Sequence, residues 1–149
     1  MAEISRSRTI AAAQTAVWAL LSDFGALASW ADGVDHSCLL NHVDSATPLG
    51  LTRRVQAGRD TFVETITAFK PPRVLAYEIA GLPRGLSASN RWNVLPRGDD
   101  ATTVTLTITV RMSANPLRRI LERVFVRLMA RGSDGLLHSL ADAAERVPS

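Results

Sequence analysis

Residues 115–146 constrain this chain more than any other stretch. They open on Asn115-Pro116. Asn is a favoured helix N-cap, and Pro at the first helical position has its φ already set and forfeits no hydrogen bond. Leu117, Ile120, Leu121, Val124, Phe125 and Leu128 follow at the i, i+3, i+4, i+7 spacing of one buried helix face, and Arg119, Arg123 and Arg127 fall off it. Beyond Gly132 and Gly135 the apolar positions become Leu136, Leu140, Ala143, Ala144 and Val147. At about 100° per residue this second stripe is turned by roughly a quarter-turn from the first. Glycine in a helix interior costs about 1 kcal/mol against Ala. The glycines at the turning point therefore predict a kink or break between Ala130 and Leu136. A helix this long needs a broad apolar surface to lie on, which the rest of the chain must supply.

That rest reads mainly as strands. Residues 3–10 alternate in polarity and form a first strand. Val17, Leu20, Leu21 and Phe24 give a short amphipathic helix over 13–22, and a second short helix follows over 24–30. Asp32-Gly33 is a turn signal. Strands are expected over 34–43, 51–57 and 61–69, the last two joined by Gly58-Arg59, a two-residue loop suited to a tight hairpin. This register sets Arg53 opposite Glu64, Val55 opposite Phe62 and Leu51 opposite Ile66. Opposed residues share one face of a sheet, so Arg53 and Glu64 would lie within an apolar face. Pro71-Pro72 ends that strand. Strands over 74–79 and 88–95 flank a turn at Leu82-Pro83-Arg84-Gly85, and a further turn at 96–100 leads into residues 103–112, where Val104, Leu106, Ile108, Val110 and Met112 alternate with polar neighbours. One strand, two short helices, six consecutive strands and one long helix make an α+β fold built on an antiparallel sheet. Its length suits a single domain, 1–149.

Composition narrows the function classes. Hydrophobic residues make up 46% of the chain, too many for disorder. The net charge is +3 and every basic residue but Lys70 is arginine. These arginines are spread along the chain without interleaved aromatics, which argues against nucleic acid as a partner. No run approaches the roughly 18 apolar residues of an integral membrane segment. Cys38 is the single cysteine. It excludes an intramolecular disulfide, fits a cytoplasmic location, and is expected to be a buried apolar side chain. Arg6 and Arg8 before an apolar stretch resemble a secretory leader, but Glu3, Gln14 and Asp23 interrupt it, so a strand followed by a helix is preferred.

Motifs for chemistry are few. Asp134, His138 and Asp142 stand at i, i+4, i+8 beside Ser133 and read as a solvated ion-pair stripe. His36 and His42 would lie about 20 Å apart along a strand, beyond one ion's reach. No metal and no cofactor are expected. Arg53 and Glu64 are better candidates, because a buried ion pair is weak evidence for stability and so hints at a site. A register displaced by one residue would instead turn both to solvent. Trp30, Tyr77, Asn90 and Trp92 would add aromatic surface and polar handles to a cavity, although each aromatic alone also reads as core. Leu128 and Gly132 would complete the lining where the helix crosses the sheet, Gly132 by removing side-chain volume.

Several segments carry a family likeness: Val17-Trp18-Ala19-Leu20-Leu21-Ser22-Asp23-Phe24, Trp30 shortly before Val34, Gly50-Leu51-Thr52-Arg53, Glu64-Thr65-Ile66, Pro71-Pro72-Arg73-Val74-Leu75-Ala76-Tyr77-Glu78-Ile79, and Arg91-Trp92. In this order and spacing the chain resembles the START/Bet v 1-like (SRPBCC) superfamily, in particular its polyketide cyclase/dehydrase-like branch. The resemblance covers nearly the whole chain. It implies a helix-grip fold, a curved antiparallel sheet of about seven strands wrapped around the C-terminal helix, with two short helices after strand one. It also implies a cavity between sheet and helix for a hydrophobic or aromatic small molecule, lipid-like or polyketide-like. The fold does not set the activity. Binding is preferred, because no independent acid/base pair is evident. The alternative is a cyclase or dehydratase in which Arg53 orients or polarises a carbonyl and Glu64 moves a proton. An oligomeric interaction module using the arginine-rich helix ranks third, and the chain is expected to be a monomer or homodimer.

Overall fold

A computed structural model describes residues 1–149 apart from Ser45, Arg84, Ala114, Asn115 and residues 147–149. The expected cap at Asn115, the Arg84 position of its turn and the Val147 end of the second stripe therefore lie outside the described residues. The elements run β1 (Ala2–Ile10), α1 (Gln14–Ser22), a 3-10 helix (Phe24–Ser29), β2 (His36–Leu39), β3 (Thr52–Ala57), β4 (Asp60–Lys70), β5 (Val74–Ala80), β6 (Leu86–Pro96), β7 (Thr102–Met112) and α2 (Arg118–Glu145). The strands form one seven-stranded sheet in the order β1-β7-β6-β5-β4-β3-β2, antiparallel throughout. This is the α+β helix-grip layout expected from the sequence.

Alternation decides which side of the sheet is the core. On β7, Val104, Leu106, Ile108 and Val110 are wholly buried. The intervening threonines face outward, where hydroxyls of β1 and β7 pair across the strands: Ser5 with Thr107 at 2.8 Å and Ser7 with Thr105 at 2.8 Å. The β3–β4 hairpin has the expected register, Arg53 opposite Glu64 and Val55 opposite Phe62. Gly58 makes its turn at φ +61, a left-handed conformation that costs glycine nothing.

α2 lies across the inner side against β1 and β7. It runs as one α-helix of 28 residues through Gly132 and Gly135, so the expected break is absent. The helix starts at Arg118, after Leu117, so Pro116 is not its first residue. The first apolar stripe is only partly right: Phe125 packs against the core, but Leu117, Ile120, Val124 and Leu128 do not. Glu122, Val126, Ala130, Ser133, Leu137, Leu140, Ala141 and Ala144 are buried, whereas Ile120, Val124 and Leu128 are exposed. The physical reason is close approach: Ala and Ser on the inner face let the helix backbone sit near the sheet, and they leave little hydrophobic signal. The turned stripe thus marks two apolar sides of one helix, and only one of them meets the sheet.

Glu122, on the buried side, accepts hydrogen bonds from the Met1 amine at 2.6 Å and the Met112 N–H at 2.8 Å. The amine chiefly, then the Met112 N–H, lowers its pKa.

β2 is shorter than the expected strand over 34–43, and Cys38 is exposed rather than buried. As the outer edge of the sheet, β2 has only β3 beside it. Its anchor is Ser37, whose hydroxyl donates to the Gly25 carbonyl at 2.8 Å and accepts from the Ala28 N–H at 2.9 Å. Among the described residues no helix is long and apolar enough to cross a membrane.

Candidate functional site

Between the inner face of the sheet and α2 is a cavity of about 310 Å³. This is near the lower end of small-molecule sites, about 300–1,000 Å³. Its walls are mainly apolar, from Leu27, Val34, Val55, Phe62, Ile79, Leu82, Met129 and Leu136, and its polar side chains include Glu64, Tyr77 and Asn90. Exposed Asp32, Gly33 and Gly132 stand at its opening. A larger hollow of about 550 Å³ lies on the outer side of the sheet around Thr65, Glu78, Ser87, Thr109 and Arg111. None of these five side chains is buried, so that hollow lacks the desolvated polar groups that make a recognition site.

The inner cavity has such groups because the hairpin register turns Arg53 and Glu64 inward, leaving them 3% and 7% exposed. Arg53 Nε donates to Glu64 Oε1 at 2.8 Å, and Nη2 lies 2.7 Å from the same oxygen. Nη1 donates to the Phe24 carbonyl at 3.0 Å. The guanidinium also sits 3.9 Å from the Phe24 ring centroid and 4.8 Å from that of Tyr77, within cation–π reach of both rings, which themselves meet edge to face at 5.6 Å. Arg53 is thus held behind the wall and does not line the cavity. Glu64 does, and among the described residues its Oε2 has no protein partner.

Beside Glu64, the Tyr77 hydroxyl accepts hydrogen bonds from Asn90 Nδ2 at 3.3 Å and Trp92 Nε1 at 3.1 Å. Burial first, then the charge of Glu64, raises the Tyr77 pKa above 10.0, with Arg53 opposing. The phenol therefore stays protonated at neutral pH. With both lone pairs engaged, the hydroxyl still has a proton to donate. Asn90 Oδ1 is buried without a partner, as is Trp30 Nε1. An unsatisfied buried polar group costs about 1–3 kcal/mol. At Asn90, which lines the cavity, a donor on a bound molecule would remove that cost.

Of the sequence-predicted residues, Glu64, Tyr77, Asn90 and Gly132 line the cavity. Arg53, Trp30 and Trp92 form the layer behind it, the two indoles edge to face at 6.4 Å. Leu128 does not belong to the site: it is 54% exposed on the side of α2 away from the sheet. The helix residues that replace it are Met129, Ser133 and Leu136. Tracing the second stripe back from Leu140 in steps of three and four reaches Leu137, Ser133, Ala130 and Val126, and would have found this side. His138 and Asp142 form an exposed pair at 3.3 Å, and Asp134 meets Arg6 at 3.4 Å, both outside the cavity. Among the described residues no group of three His, Cys, Asp or Glu side chains could hold a metal.

A solved structure with the same fold is the Zhui aromatase/cyclase of Streptomyces sp. R1128, at a TM-score of 0.80 and 19% identity over 97% of this chain and 94% of that one. A START superfamily protein of Mycobacterium smegmatis matches at 0.79 and 15% over 98% and 99%. A protein of Thermobifida fusca matches at 0.73 and 27% over 98% and 95%. No curated protein matches the sequence. Residues 1–145 match the family described as polyketide cyclase / dehydrase and lipid transport. A match over this span, on a chain with the sheet, helix and cavity described above, places the protein in the polyketide cyclase / dehydrase and lipid transport family.

Proposed function

We propose that the protein binds a hydrophobic or aromatic small molecule, lipid-like or polyketide-like, in the cavity between sheet and α2. The observation that carries this reading is the pairing of apolar walls with a buried polar atom that lacks a partner, Asn90 Oδ1. The apolar body of the ligand would contribute about 25 cal/mol per Å² buried, less the cost of association. The Tyr77 hydroxyl, Glu64 Oε2 and Asn90 Oδ1 would orient its polar end, with Arg53 holding Glu64 in place. A ligand carrying a hydroxyl fits this set best, since two of the three atoms are acceptors.

Tryptophan fluorescence titration with 2-naphthol and with naphthalene tests this directly. The two probes share a ring system and differ by one hydroxyl. Saturable quenching by both is expected, with 2-naphthol about fivefold or more tighter, the value of one added hydrogen bond in a buried site. Absence of saturable quenching, or no preference between the probes, contradicts the reading.

A second reading, a cyclase or dehydratase, is favoured by one feature: Glu64 and Tyr77, a carboxylate and a phenol, line the same cavity. Glu64 would take a proton from the substrate, and Tyr77 would donate to the carbonyl oxygen on which charge develops.

A further inference from the structure

The apolar side of α2 that misses the sheet has no role in the cavity. Ile120, Val124 and Leu128 are 61%, 48% and 54% exposed. They follow one another at i, i+4, i+8, along the side of the helix opposite Val126, Ala130 and Leu137. Scattered exposed apolar residues need no explanation, but a continuous row on one face marks an interaction surface.

The helix charge flanking this row, Arg123, Arg127 and Arg131, has one sign, while Glu3 of β1 lines the same surface hollow as Arg123 and Arg127. Arg118, Arg119, Arg123, Arg127 and Arg131 are all exposed, and among the described residues none of them forms an ion pair. The only acidic residue between positions 117 and 131 is Glu122, which is buried and already engaged by Met1 and Met112. An apolar ridge edged by arginines is the composition of a helix that lies in a bilayer interface. The ridge enters the acyl boundary, and the arginine stems cover apolar surface while their heads reach lipid phosphates.

We propose that the N-terminal half of α2 docks the protein onto an anionic lipid bilayer. Charge complementarity selects this occupant over a second copy of the chain. A self-complementary contact across the row would bring Arg123 and Arg127 towards the same residues of the other copy, and Glu3, the one exposed carboxylate lining their hollow, would leave the arginines in excess. The proposal does not rest on the cavity reading. It does give the cavity a location, since Met129, one residue from Leu128, lines the cavity, and docking would bring this wall to the lipid surface.

The test is co-sedimentation of the full chain with vesicles of phosphatidylcholine alone and of phosphatidylcholine mixed two to one with phosphatidylglycerol. Binding to the mixed vesicles is expected, about tenfold or more tighter than to phosphatidylcholine alone and weakening as salt is raised. Arg123→Glu with Arg127→Glu is expected to weaken it by about 25-fold or more. Ile120→Ser with Leu128→Ser is expected to weaken it by about tenfold or more through lost apolar insertion. All four positions are exposed, so both double variants should keep the wild-type circular dichroism spectrum and melting temperature. Absence of wild-type binding, or equal binding to the two compositions, overturns the proposal. So does a solution dimer, seen by sedimentation equilibrium without vesicles, that Leu128→Ser dissociates.

Discussion

Arg53→Ala is expected to lower the free energy of unfolding by about 3–5 kcal/mol, the cost of breaking a buried ion pair from one side. The figure follows from what remains behind. Glu64, 7% exposed, would lose both short contacts to its Oε1, and the Phe24 carbonyl would lose the donor it receives from Nη1. The Phe24 and Tyr77 rings would each lose their cation–π contact as well. Urea denaturation at neutral pH measures the loss. The double variant Arg53→Met with Glu64→Leu separates this mechanism from simple loss of packing. Replacing both charges by apolar groups of similar volume removes the unpaired charge, so the double variant should be markedly more stable than Arg53→Ala. A double variant as unstable as the single one would show that the pair matters through packing or the Phe24 contact.

Glu64→Gln separates the two functional readings. It preserves shape and hydrogen-bonding reach while removing the proton-accepting carboxylate. If the protein is a carrier, affinity for a neutral apolar ligand should change only modestly, because most of it comes from apolar burial. If it is an acid/base enzyme, turnover should fall by about 100-fold or more with substrate binding nearly intact. The comparison needs binding and product formation measured on the same preparations. A loss of turnover without a loss of affinity would sink the preferred carrier reading. Ligands that bind well and are never converted by the wild type would sink the enzyme reading.

Much of the fold was legible from residues 51–112, because strand signals there are local. Gly58-Arg59 pins the hairpin, and once that loop is set, period-2 alternation leaves no freedom about which face Arg53 and Glu64 share. The alternation on β7 is equally plain, and four of its inward residues are fully buried. α2 was harder, for a physical reason. Both of its sides carry apolar residues, and the side that packs is built from Ala130, Ser133, Ala141 and Ala144, which give a weak pattern because close packing needs small side chains. The bulkier row at Ile120, Val124 and Leu128 therefore looked like the core. That row makes Leu128 read as a cavity residue and the change of stripe read as a kink or break.

Other details depend on contacts between distant parts of the chain. Arg53 is drawn behind the wall by the Phe24 carbonyl, 29 positions away, and no spacing rule anticipates that bond. The unpaired Asn90 Oδ1 follows from the way Asn90 Nδ2 and Trp92 Nε1 converge on one hydroxyl, that of Tyr77. Cys38 is exposed because the β2–β3 register sets it opposite Arg54, on the outer side of an edge strand, a matter of sheet pairing that local composition does not report.

The central claim is that the cavity under α2 holds a small molecule. Native mass spectrometry of protein purified without denaturation tests it most directly, with Gly132→Leu as the companion variant. Gly132 lines the cavity, and a Cβ built there meets no atom within 4 Å, so a leucine side chain can enter the opening without a clash at its base. The wild type is expected to carry a non-covalent adduct, retained from the cell or acquired on incubation with 2-naphthol, that is lost or much reduced in Gly132→Leu. A wild-type chain that stays bare after that incubation, or an adduct equally abundant in Gly132→Leu, would contradict the account.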